Sequence, residues 1–117
     1  MPPTPISGTL PPSSLKSRHR HAPGGLSGRP LFALSTDCLK TFYKLLGGKV
    51  PLIGVGGIAS ADDAYAKIRA GATLVQLYTA LVYQGFPVVR EIQVGLADRL
   101  KKDGFTQVQQ AVGVDVV

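Results

Sequence analysis

The sequence predicts an α/β fold built from successive strand–loop–helix units, and three observations carry that expectation. From residue 24 onward, short apolar runs alternate with helical patterns. Two of those runs, Val50-Pro-Leu-Ile53 and Thr73-Leu-Val-Gln-Leu-Tyr78, lead directly into a loop and then a helix. Apolar residues make up 44% of the 117, an ordinary share for one globular core, yet no run reaches the roughly 18 needed to span a bilayer.

The first helix is signalled by Leu39, Phe42, Tyr43 and Leu46, which recur at i, i+3, i+4 and i+7. Ser35 or Thr36 is placed to cap it, and Gly47-Gly48 stops it. One face of this helix is expected to be buried. Cys38 falls on it and reads as a small buried hydrophobe, and as the only cysteine it excludes an internal disulfide or a cysteine-rich metal site.

Val50 to Ile53 then reads as a short buried strand entering Gly54-Val-Gly-Gly57. Ser60-Ala-Asp-Asp63 has capping-box spacing and opens a helix through Ala64, Ile68 and Ala70, which Gly71 ends. The strand over Thr73 to Tyr78 follows, and Thr79 begins a short helical stretch through Leu81 to Tyr83. After Gly85 and Pro87 a long helix carries Val89, Ile92, Leu96 and Leu100 on one face, with Arg90, Arg99 and Lys101 largely off it. Gly104 fits its C-cap, and Thr106 starts a last short helix through Val108 and Val112.

Residues 1–23 differ in texture. They hold six of the nine prolines among Ser, Thr, Gly and basic residues, without apolar periodicity, and are expected to form a disordered tail ahead of a domain over 24–117. The acid-free stretch Lys16 to His21 has the composition of a mitochondrial presequence, but the proline density opposes the amphipathic helix such a leader needs. His19 and His21 have no further ligands nearby in sequence to make a metal site. Lys16, Arg18, Arg20 and Arg29 are the only charges in the first 36 residues, so four of the six net positive charges belong to the head. A nucleic-acid partner, which needs bases gathered on an ordered face with readout groups, is therefore not expected.

The chemistry lies in the two loops. Without a Cβ, Gly56 and Gly57 let the backbone approach a ligand closely, with successive N–H groups facing an anion. At Tyr78-Thr79 a helix N-terminus offers unpaired N–H donors, a favourable dipole and a hydroxyl. Loops after neighbouring parallel strands, followed by a short helix, correspond to the phosphate site common in (β/α)₈ TIM barrels.

Several blocks in register make the match more specific: Gly24-Gly-Leu-Ser-Gly28 with Arg29-Pro-Leu31, Val50 to Gly57, Ile68-Arg-Ala-Gly71, Leu74 to Leu81, and the ending Gly104-Phe105 to Asp115. Over about Gly24 to Asp115 the chain resembles the dihydroorotate dehydrogenases of the membrane-associated, quinone-using class. That resemblance implies the C-terminal βα units of a TIM barrel, incomplete in this chain. It also implies FMN as cofactor and the oxidation of dihydroorotate to orotate with ubiquinone as acceptor, in pyrimidine biosynthesis at the mitochondrial inner membrane. Carried over by position, Ser27 and Gly28 would lie beside the flavin, and Val55, Gly56, Gly57, Leu77, Tyr78 and Thr79 would meet its phosphate and ribitol end.

No catalytic residue is assigned. The family's serine base, flavin-side lysine and orotate-binding asparagines precede the Gly24 block, and Ser13, Ser14 and Lys16 lack the pattern around them. The family's membrane-anchoring segment is likewise unmatched. A chain with only these units is expected to bind FMN weakly or not at all, to show no turnover, and to self-associate through exposed apolar surface. Two other readings stay open: a non-catalytic truncated isoform or interaction fragment, and the phosphate-binding end of another flavin or sugar-phosphate barrel.

Overall fold

A computed structural model describes residues 15–21 and 25–116. The expected tail therefore falls mostly outside the described residues, as do Gly24 and Val117. Within it, a turn is closed by the Arg20 N–H donating to the Ser17 carbonyl at 3.2 Å.

Arg29–Leu31 forms a single 3₁₀ turn that continues into helix α1, Phe32–Leu46. Strand β1 (Ile53–Val55), helix α2 (Ala61–Arg69), strand β2 (Leu74–Gln76), helix α3 (Thr79–Gln84) and helix α4 (Pro87–Lys102) follow, and a 3₁₀ turn closes the order at Val108–Ala111. The strands pair in parallel, with Ile53 opposite Leu74, Gly54 opposite Val75 and Val55 opposite Gln76. Parallel pairing across an intervening helix is the βα crossover that the alternating pattern anticipates.

Side chains alternate across each strand, so Gly54 and Val75 face the helices while Ile53, Val55, Leu74 and Gln76 face the other way. Val75 packs against all three apolar clusters. One holds Ile58, Ala64, Val88 and Ile92, a second Leu39, Ala70 and Ala72, and a third Tyr65, Ile68 and Ala111. Truncating a residue such as Ile92 in this core would cost about 2–5 kcal/mol.

Several local expectations are corrected. The first helix begins a turn before Ser35 and Thr36, because Pro30 presets the backbone and the 3₁₀ turn runs into α1. Their hydroxyls do not cap: that of Thr36 donates to the Phe32 carbonyl at 2.7 Å, and the Ser35 oxygen lies 3.1 Å from the same carbonyl. Cys38 is exposed, as is Phe42, because α1 buries only a narrow stripe around Thr36 and Leu39. Both residues line an open groove of about 540 Å³ beside β1.

The first strand forms over Ile53–Val55 rather than Val50–Ile53, since Pro51 has no N–H to donate to a ladder. Its Ile53 and Val55 are 57% and 48% exposed, because helices cover one face of the sheet only. The second strand shortens to Leu74–Gln76. On α4 the buried stripe starts at Val88, with Val89 turned outward.

Both ends of the helices show why the chain turns there. The Ser60 hydroxyl accepts the Asp63 N–H at 3.2 Å while the Asp63 carboxylate accepts the Ala59 N–H at 3.0 Å, securing the start of α2. At the end of α4, Gly104 donates to the Lys101 carbonyl (3.2 Å) and Phe105 to that of Leu100 (2.8 Å), a Schellman closure. The terminal segment is then fastened by Arg69, which reaches Asp103 at 3.3 Å and Asp115 at 2.7 Å.

Candidate functional site

The loops after β1 and β2 sit side by side because their strands are neighbours in register. They open on one cavity of about 530 Å³, within the range of roughly 300–1,000 Å³ usual for small-molecule sites. All of the sequence-predicted site residues line it: Ser27 and Gly28 from the segment before α1, Val55, Gly56 and Gly57 from the first loop, and Leu77, Tyr78 and Thr79 from the second.

Local sequence explains the shape. Gly28 has φ 80 and ψ −163, a conformation open essentially to glycine alone, and this brings its backbone against Thr79. Gly56 and Gly57 have φ 103 and 75, and a Cβ on Gly57 would meet the backbone of Phe32 at 2.7 Å. The first loop is thereby pressed onto the start of α1. Across the cavity Gln84 donates to the Ala59 carbonyl at 3.0 Å and ties α3 to that loop.

The wall is largely apolar, and its polar groups come mainly from the backbone. The N–H groups of Gly57 and Ile58 find no backbone acceptor among the described residues. Thr79 and Ala80 open α3, so their N–H groups have no acceptor within that helix. Among the described residues no aspartate or glutamate lines the cavity, and Arg29 does. Backbone donors with no carboxylate beside them suit an anion with several acceptor oxygens, such as a phosphate ester. Among the described residues no three His, Cys, Asp or Glu side chains gather into a metal site.

Behind the first loop lies a residue that sequence reading passed over. The Lys67 side chain is fully buried, with its ammonium 2.5 Å from the Ser35 hydroxyl, 3.3 Å from the Phe32 carbonyl and 4.7 Å from the centre of the Phe32 ring. Burial pushes its pKa down to about 8, against the attraction of Asp63, Asp37 and Cys38. The signal was present: Lys67 stands at i+3 from Ala64 and beside Ile68, inside the apolar stripe of α2. Arg29, Ile58, Ala59, Gln76, Ala80, Tyr83 and Gln84 also line the cavity and were not singled out, being ordinary residues that adjacency alone brings there.

A family model described as dihydroorotate dehydrogenase matches residues 7–100, beginning ahead of the Gly24 block and stopping before Gly104. The dihydroorotate dehydrogenase (quinone) of Xanthobacter autotrophicus is 59% identical over 105 residues, covering 90% of this chain and 29% of that protein. A rice relative named dihydroorotate dehydrogenase (quinone), mitochondrial, is 59% identical over 92 residues, 79% of this chain and 20% of its own. Among solved structures, ligand-free DHODH from Eimeria tenella superposes with a TM-score of 0.86 at 43% identity, covering 94% of this chain and 32% of that one. The chain thus spans about a third or less of the proteins it matches. Its two βα units are the corresponding part of a (β/α)₈ barrel.

Proposed function

The chain belongs to the dihydroorotate dehydrogenase family, and from that premise we propose that its cavity takes the phosphate and ribitol end of FMN. The single observation that carries this reading is the convergence of two βα loops on one acid-free cavity with unpaired backbone donors. A phosphate dianion fits that donor set, and the volume accommodates the ribitol arm beside it. Gly56, Gly57 and Thr79 then hold the phosphate end, Val55, Leu77 and Tyr78 flank the arm, and Ser27 and Gly28 border the flavin itself.

When bound, FMN would supply the hydride acceptor for dihydroorotate and the link to a quinone, in the pyrimidine pathway. The contribution of this chain is to bind, orient and exclude water; no proton-transfer role is assigned to any of its residues. We further propose that the 117 residues alone bind FMN weakly and do not turn over, because one face of the sheet is bare. In a eukaryotic host the enzyme would work at the mitochondrial inner membrane, in line with the name of the rice relative. Among the described residues no helix is long and apolar enough to cross a membrane.

Fluorescence titration of the purified chain with FMN and with riboflavin tests the phosphate reading. A phosphate held by charge-assisted hydrogen bonds of about 1.5–3 kcal/mol should give FMN at least about a tenfold advantage over riboflavin. Equal affinity for the two flavins would contradict it. Dihydroorotate-dependent dye reduction by the same preparation, with FMN added, would contradict the absence of turnover.

A second reading draws on the exposed Ile53, Val55, Leu74 and Phe42, an apolar surface suited to a non-catalytic interaction fragment. It is distinguished by its indifference to flavin.

A further inference from the structure

We propose that Lys67 is a positioning residue for the glycine loop: through Ser35 it fixes the Gly56 carbonyl and so aims the Gly57 N–H into the cavity. The inference rests on the reading of that cavity as a flavin-phosphate site.

The hydrogen bonding decides which way the Ser35 hydroxyl points. Its oxygen lies 2.5 Å from the Lys67 ammonium, 3.1 Å from the Phe32 carbonyl and 3.2 Å from the Gly56 carbonyl. An ammonium can only donate, so the Ser35 oxygen accepts from Lys67 and retains one proton to give. The Phe32 carbonyl already receives Lys67 at 3.3 Å and the Thr36 hydroxyl at 2.7 Å. The Gly56 carbonyl has Ser35 as its side-chain donor among the described residues. The Ser35 proton is therefore best placed on Gly56.

Planarity of the trans peptide carries this across the loop. The Gly56 carbonyl and the Gly57 N–H belong to one peptide unit and point in opposite directions. Ser35 lines the groove beside β1 and not the cavity, whereas Gly57 lines the cavity. Anchoring the carbonyl on the Ser35 side turns the N–H toward the ligand side.

A packing role alone does not call for lysine here. The side chain is fully buried, and an apolar residue of similar length would fill the space without desolvating a charge. What lysine adds is a directed donor. The charged and titratable groups facing it are Asp63 on its own helix and Asp37 and Cys38 on α1.

The test uses the 117-residue chain and three variants: Lys67→Met, Ser35→Ala and the double variant. FMN and riboflavin affinities are measured by flavin fluorescence, together with the Gly57 amide resonance of the flavin-free proteins as a function of pH. Each single variant should weaken FMN about tenfold, as expected for one misaligned charge-assisted bond, leave riboflavin unchanged, and not add in the double variant. In the flavin-free wild type the Gly57 amide should titrate with a midpoint near 8, and that step should vanish in both variants. Wild-type preference for FMN that persists in Lys67→Met and Ser35→Ala overturns the positioning role and leaves the phosphate reading standing. Absence of any wild-type preference overturns the phosphate reading, and the amide titration then decides the positioning: a Gly57 resonance indifferent to pH near 8 overturns it. If Lys67→Met does not fold, Ser35→Ala carries the same comparisons.

Discussion

A Cβ on Gly57 would lie 2.5 Å from the Cβ of Phe32, so the glycine loop rests directly on the first turn of α1. Gly57→Ala should therefore displace the loop, because both the contact and a φ of 75 oppose a side chain. The expected cost is about 1–3 kcal/mol in chemical denaturation, with FMN affinity lowered at least about tenfold. Retention of wild-type affinity would show that the loop backbone does not hold the phosphate.

Lys67 makes stability depend on alkaline pH. Its folded pKa is about 8, below the usual value of 10.5. Between these values the unfolded chain holds a proton that the folded chain has released, so stability rises with pH across that window and is flat below it. The full difference amounts to about 3 kcal/mol at 1.36 kcal/mol per unit. Urea denaturation at intervals from pH 7 to 10 should show this rise in the wild type and its loss in Lys67→Met.

The ion pair between Arg69 and Asp115 should show the opposite dependence at acid pH. The Arg69 guanidinium holds the Asp115 carboxyl below the usual carboxylate range. Its contribution is present above that range and lost as pH falls through the folded value. With the Asp115 side chain 43% exposed, solvent screening limits the pair to about 1 kcal/mol or less. Asp115→Asn should lower Tm by at most about 4–8 °C at pH 7, and the two proteins should converge only as pH falls through the depressed folded pKa of Asp115.

Ile53, Val55 and Leu74 lie on one bare face of the sheet. Concentration-dependent self-association by size exclusion is the expected behaviour of the isolated chain, and threonine at these three positions should reduce it while keeping strand propensity. A sharp monomer peak at all concentrations would mean that this face is covered in some other way.

Much of the fold was legible because it is written in local signals. The helix-stopping Gly47-Gly48, the Ser60 cap and the glycines of the cavity each act within a few residues, and each stands where the sequence placed it. What failed needed knowledge of neighbours. Whether Cys38 and Phe42 are buried depends on what lies against α1, and whether Ile53 faces a core depends on which sheet face is covered. Lys67 was missed for the same reason, since a lysine reads as a solvated residue until its helical position is set against the apolar stripe. The convergence of the candidate residues on one cavity was more legible, because loops after adjacent parallel strands must meet, and Ser27 to Gly28 joins them through a backbone conformation open essentially to glycine.

The most direct measurement is an amide-resolved titration of the ¹⁵N-labelled 117-residue chain with FMN and, separately, with riboflavin. The expected result is that the amides of Gly56, Gly57, Ile58 and Thr79 shift with FMN, weakly and saturably, and stay in place with riboflavin. Identical shifts with both flavins, or FMN shifts that spare these amides, would contradict the assignment of the cavity to the cofactor's phosphate.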